Sequence, residues 1–326
     1  MISSTPIAQW SWGERGRDID LISEAVRRFS AAIEALNRHH LGTPHGGQAS
    51  VKIPELGNRS VLAQQNYPVT SALVDRIRED VKAGSVGAVE IFASCDGLLE
   101  TSNGPVATEG LFSLSVDVSE SYSTVALSTF SDAWMLYNLK GERNDSLYRL
   151  NQPRLKALLE DLSEKTGTEV DPEDPTRLGI ATEEGVANHF ESDGSASDVW
   201  SRFEIPQRNS VFSYTPPFKS TYRRGATGQI SFLPVHGEGE ILGYLWASDA
   251  EGAASFEPRD KADLAGYHAG LIWLDRLQGA FDHGLTPSAA LGSLRNSPAD
   301  RTSGHIPNDS STMEADFWTL RRIASD

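Results

Sequence analysis

The chain has 326 residues, 39% of them apolar and 23% charged, and a formal net charge of −16. That balance excludes a disordered chain, the length predicts two modules rather than one core, and the charge excludes nucleic acid and anionic membranes as partners. No apolar run approaches a membrane span, residues 1–18 lack the basic start and apolar core of a secretory signal, and Cys95 is alone, so a cytoplasmic, reducing location is expected.

Asp18 caps a predicted helix running to about His40, with Ile19, Ile22, Val26, Phe29, Ile33 and Leu36 spaced 3-4-3-4-3. That spacing keeps one narrow seam on a neighbour. The neighbour is expected to be the chain's own core, with a second copy as the alternative. Gly42-Thr43-Pro44-His45-Gly46-Gly47 is then expected to break the chain. Thr70 opens a second helix carrying Leu73, Val74, Ile77 and Val81 and ending at Gly84. Residues 86–95 read as a buried strand. Phe112, Leu114, Val116 and Val118 alternate with Ser113, Ser115 and Asp117, the pattern of a sheet with one wet face. Residues 125–139 are again strand-like. Asn151-Gln152-Pro153 starts a helix with Leu155, Leu158, Leu159 and Leu162, closed by Gly167.

Residues 158–204 hold thirteen acids against three bases, a balance of −10. Asp171-Pro172-Glu173-Asp174-Pro175 is a turn, because each proline fixes φ and keeps its predecessor out of the helical region. Short strands are expected at 185–190, 199–205 and 211–214. Residues 230–235 and 241–247 flank His236-Gly237-Glu238-Gly239-Glu240, a hairpin with a glycine-rich loop. Its second strand is apolar on both faces, Ile241 and Leu245 on one and Tyr244 and Trp246 on the other, and should be central. A helix over 259–283 shows Leu264, Tyr267, Leu271, Leu274 and Phe281 on one face and the small residues Ala262, Gly266 and Gly270 on another. Thr286-Pro287 caps the next helix. Residues 296–310 are polar, and Ser311 with Glu314 fits a capping box before a tethered terminal helix.

Strands that follow strands without crossover helices give an α+β class: two packed modules, antiparallel sheets with flanking helices. The divisions are an N-terminal helix and linker (1–50), a first module (51–170), a second module with an acidic entry segment (171–296) and the tethered helix (297–326). The module boundary is expected near 167–184.

Catalytic patterns are mostly missing. No serine has the flanking glycines of a hydrolase elbow. Cys95 ends a strand before Asp96-Gly97 and reads as a small buried residue, the alternative being a nucleophile. His39 and His40 diverge by about 100° on a helix, so the two cannot easily bind one ion without unwinding it, and no cysteine pair or carboxylate frame completes a zinc set with them or His45. Gly237, Gly239 and Gly243 miss the dinucleotide spacing and sit between strands. No catalytic residue, metal ligand or cofactor is therefore expected. Asp171, Glu173 and Asp174 lack calcium-loop spacing; with Glu183 and Glu184 they are the expected partner-binding residues. Lys219, Arg223 and Arg224, interleaved with Tyr214, Phe218 and Tyr222, form a basic-aromatic patch that can hold an anion or pair internally with acids.

The segments Tyr222-Arg223-Arg224-Gly225-Ala226-Thr227-Gly228, Phe232-Leu233-Pro234-Val235, Leu242-Gly243-Tyr244-Leu245-Trp246-Ala247-Ser248 and Leu285-Thr286-Pro287-Ser288-Ala289-Ala290-Leu291 resemble a group of uncharacterised bacterial proteins associated with polymorphic-toxin and type VII secretion loci. The resemblance covers roughly the last third of the chain and carries over no catalytic residue. It implies an immunity-like or chaperone-like binding role. Together these features point to a non-enzymatic acidic protein that binds a basic protein partner and neutralises it. The alternatives are a secretion chaperone, which would need an apolar groove, and an enzyme with an unrecognised site, which would need a pocket of convergent polar groups.

Overall fold

A computed structural model describes residues 1–15, 20–55, 58–70, 72–81 and 86–325. Asp18, Ile19 and Gly84 lie outside them. The chain divides into two units, Met1–Trp200 and Ser201–Asp326. Each is an antiparallel sheet flanked by helices, as an α+β fold requires. The acidic residues 171–200, assigned by composition to the entry of the second module, fall within the first unit, where Asp171 and Pro172 pair with Ser11 and Trp10.

The first unit runs β1 (Ala8–Arg15), α1 (Leu21–Arg38), β2 (Thr43–Glu55), β3 (Asn58–Pro68), α2 (Leu73–Asp80), β4 (Ala88–Thr101), β5 (Gly104–Ser119), β6 (Tyr122–Thr129), α3 (Asp145–Thr166), β7 (Asp171–Pro172), β8 (Ile180–Thr182) and β9 (Gly185–Ala187). The first seven strands form one sheet in the order β3-β2-β4-β5-β6-β1-β7; β8 and β9 form a small hairpin. Alternation sets its two faces. Val89, Ile91, Ala93 and Cys95 of β4, Leu114, Val116 and Val118 of β5, and Trp10 and Trp12 of β1 are buried. Ser94, Ser113, Ser115 and Ser11 lie on the opposite, wetter side.

Three expectations are corrected here. The Gly-Pro stretch 42–47 is not a chain break: Thr43, Pro44 and His45 pair with Asp96, Cys95 and Ser94, and a register shift before Gln48 absorbs the irregularity, with Gly46 at φ +65°. Strand β6 ends at Thr129 rather than near 139, and Trp134 sits in a short 3-10 turn, its indole N–H donating to Thr129 Oγ1 at 2.7 Å. Helix α3 starts at Asp145, just over two turns before Pro153, which lies inside it.

The second unit begins inside a π-turn (Trp200–Glu204) and continues with α4 (Ile205–Asn209) and a 3-10 turn (Ser210–Phe212). Two expected strands, 199–205 and 211–214, are thus helical; their β-branched and aromatic residues serve burial, not extension, with Ile205 and Phe212 in the core. Then follow β10 (Gln229–His236), β11 (Ile241–Ser248), β12 (Ala253–Pro258), α5 (Asp263–Asp282), α6 (Pro287–Leu294), β13 (Met313–Asp316) and α7 (Phe317–Ser325). The sheet order β12-β11-β10-β13 makes β11 central.

Helices cover both faces of this sheet. Leu233, Val235, Leu245, Ala247 and Phe256 pack with Trp273, Leu277, Ala290 and Leu291 of α5 and α6. Ile230, Phe232, Tyr244 and Trp246 pack with Phe317, Leu320 and Ala324 of α7. Ile241 belongs to this second cluster and Leu242 to the first. The reason is a bulge: Val235 pairs with Gly243 but His236 with Ile241, which reverses the alternation beyond Gly243. On α5 the core face is Gly266, Ala269, Gly270, Trp273, Leu277 and Ala280. The expected stripe of larger residues lies to one side, Leu271 being 38% exposed and Leu274 only partly buried. The small residues bring the backbone close: a Cβ on Gly270 would meet Phe212 Cζ at 2.5 Å.

The C-terminal segment is not a tether. Met313–Asp316 adds β13 to β10, and Trp273 Nε1 donates to Ser303 O at 2.8 Å. Asp316, not Ser311, caps α7, accepting from Thr319 N at 2.9 Å.

Candidate binding site

The α1 seam divides by position. Ile22, Phe29 and Leu36, seven apart, are buried against the chain's own sheet, so the seam packs internally. Val26 and Ile33, one step round the helix, are half-exposed. They line a groove of about 390 Å³ with Phe29, Pro44, Val69, Leu73 and Ile91. Ser30, Glu34, Asn37 and Thr70 give it a polar rim. Glu34 is held by Lys165 at 3.0 Å and Arg38 at 3.6 Å, which keeps its pKa below the usual carboxylate range, chiefly through the Lys165 hydrogen bond. An apolar floor with hydrogen-bonding groups along one edge suits an amphipathic segment.

Helix α1, one wall of the groove, is closed by hydrogen bonds at both ends. Asp20 caps it, its carboxylate accepting from Ile22 N at 3.2 Å and Ser23 N at 3.4 Å. At the other end His40 takes φ +55° and Leu41 N donates to Leu36 O at 2.8 Å, a left-handed closure without glycine. Arg154 of α3 donates to His39 O at 2.9 Å and to Leu98 O at 2.9 Å, tying the helix end to β4.

The five acids singled out from the sequence are all exposed. They occupy two turns anchored by one side chain. Trp10 pairs across from Pro172, between Asp171 and Glu173, and its indole N–H donates to Thr182 O at 2.8 Å, beside Glu183 and Glu184. Glu184 bridges to Lys156 at 2.6 Å. Asp161, also in the acidic stretch, is buried and accepts from Arg38 Nη1 through both oxygens at 3.0 Å. Glu204 is buried with Arg208 at 2.7 Å. Part of the −10 balance is therefore structural.

No protein-family model, curated protein or solved structure matches the chain.

The basic-aromatic patch does not assemble. Arg224 donates to Val211 O at 2.9 Å, and burial lowers its pKa, so it is a backbone clamp. Tyr222 is in the core with its hydroxyl donating to Leu285 O at 2.6 Å. Lys219, Arg223 and Phe218 remain at the surface. Cys95 is buried, and burial, reinforced by neighbouring Asp96, pushes its thiol up to about 12. Such a thiol is not a nucleophile at neutral pH. His39 faces Asp161 at 3.3 Å and His45 faces Asp96 at 3.6 Å, so the histidines serve different carboxylates. Among the described residues no helix is long and apolar enough to cross a membrane.

Proposed function

We propose that the protein is a non-enzymatic acidic binding protein whose first unit takes an amphipathic, basic segment of a partner protein into the α1 groove. The observation that carries this reading is the groove itself: Val26 and Ile33 stay half-exposed beside Val69 and Leu73 in a concave apolar surface, which an apolar side chain of a partner would cover favourably. The exposed acids Asp171, Glu173, Asp174, Glu183 and Glu184 supply a field that draws in a cationic partner. The resemblance to proteins of toxin and secretion loci points the same way.

Escort fits better than neutralisation, because a surface that only masks a basic toxin needs no apolar channel. A cytoplasmic location goes with this reading, on the strength of the single cysteine. The test is site-specific photo-crosslinking in the native cell, with the probe at Ile33 or at Glu109 on an exposed part of β5. A discrete product at Ile33 alone, with the crosslink in a Lys/Arg-rich amphipathic segment, is the expected result. The same products from both positions would refute it.

A further inference from the structure

Two histidine rings of the second unit lie side by side at the end of β10. We propose that His236 and His305 together bind one divalent ion of the zinc, nickel and copper class, and so clip the segment between α6 and β13 to β10.

The backbone builds the pair. His236 N donates to His305 O at 2.8 Å and His305 N to His236 O at 2.9 Å, an antiparallel bridge that puts both side chains on one side of the ribbon. Gly304 makes this approach possible, because it takes φ +65° and a Cβ there would clash with His236 O. The chain before it is pinned as well. Asp300 accepts from Thr302 N and Ser303 N, each at 2.8 Å, and Trp273 Nε1 donates to Ser303 O at 2.8 Å. His305 is thus presented from a fixed base.

Neither ring has a hydrogen-bond or ion-pair partner among the described residues. Other histidines are committed: His39 and His45 face carboxylates, and His189 and His283 lie against backbone carbonyls. The ring centroids of His236 and His305 are 6.4 Å apart. A zinc–nitrogen bond of about 2.0–2.1 Å sets two rings sharing a tetrahedral ion about 5.2 Å apart, so the pair must close by about 1 Å. A rotation of the exposed His305 side chain supplies that. Imidazole suits zinc, nickel and copper, whereas magnesium and calcium take oxygen ligands. No third histidine, cysteine or carboxylate joins the two among the described residues. The chain therefore supplies two ligands, and water or a partner's side chain fills the other positions.

This inference goes beyond the groove and stands or falls without it, since its probe is a metal ion alone. The chelator-treated full chain is titrated with zinc chloride, with magnesium chloride as the control, and followed by calorimetry and by the histidine ring resonances in NMR. Saturable binding of one zinc is expected, with the His236 and His305 signals moving together and magnesium inert. His236→Gln and His305→Gln should each weaken binding by about tenfold or more, at least the cost of losing a supporting group of a metal site. His45→Gln, which removes the exposed histidine beside Asp96, should leave the affinity as it is. Zinc should raise the melting temperature of the wild type and not that of His305→Gln, a change at an exposed position. No saturable binding, ring shifts confined to other histidines, or an affinity that survives His305→Gln would overturn the proposal.

Discussion

Asn151 of α3 pairs with the backbone of Glu100 as a neighbouring strand would. Its Oδ1 accepts from Glu100 N at 2.9 Å, and its Nδ2 donates to Glu100 O at 2.8 Å and to Leu147 O at 2.8 Å. The side chain is fully buried, so its loss strands backbone groups out of reach of water. Asn151→Ala should cost about 1–3 kcal/mol for each group left unpaired. Urea denaturation measures this, and a loss below about 0.5 kcal/mol would show that the pairing contributes nothing.

The close contact between α5 and the sheet gives a second expectation. Gly270→Ala forces a methyl against Phe212 and Phe256 and should cost about 1–3 kcal/mol by overpacking. Leu277→Ala, at a core position, should cost about 2–5 kcal/mol, whereas Leu271→Ala should fall within about 0.5 kcal/mol of wild type. Equal costs at Leu277 and Leu271 would contradict the assigned face.

Cys95 offers a pH-dependent check. Its folded pKa is raised from an ordinary 9.0 to about 12, so the folded state holds the proton more tightly than the unfolded chain. The contribution is fully present below pH 9 and is lost as pH rises from there toward 12. Thiol labelling at pH 8 should therefore follow unfolding, accelerating with denaturant, and Cys95→Ala should flatten the alkaline loss of stability. Fast labelling of the folded protein would place the thiol at the surface.

Features with strong local periodicity could be read from the sequence. The β10–β11 hairpin follows from alternation around a glycine-rich loop, and α1 from its 3-4 spacing. Other features depended on distant partners. Met313–Asp316 alternates apolar and acidic residues over only four positions, too few to announce a strand, and pairs along the open edge of β10. Phe212 favours extension locally but is held in a 3-10 turn by burial against Phe256. The half of the groove made by Val26 and Ile33 was visible as part of the seam. Its other wall, Val69, Leu73 and Ile91, comes from elements whose meeting no spacing announces. Glu257 and Arg321 are 64 residues apart, and no local signal joins them.

The acidic turns should act on encounter rather than on the bound state. Changing Glu173, Asp174, Glu183 and Glu184 together to lysine should slow association with a basic peptide and flatten its salt dependence, leaving dissociation nearly unchanged. Of the four, Glu184 has a structural partner in Lys156, an exposed pair, so Glu184→Lys alone should lower the melting temperature only slightly. Stopped-flow mixing at low and high salt gives the rates. Equal association rates for wild type and the fourfold variant would leave these acids only a solubilising role.

The most direct measurement is an NMR titration of the methyl groups of Val26, Ile33, Val69 and Leu73 with a Leu/Lys peptide of helical amphipathic spacing. A Leu/Glu peptide of the same pattern serves as the control. The expected result is saturable shifts confined to the groove with the Leu/Lys peptide, lost in Ile33→Asp and much weaker with Leu/Glu. Shifts that map elsewhere, or equal binding of the two peptides, would contradict the groove as the place where a basic partner docks.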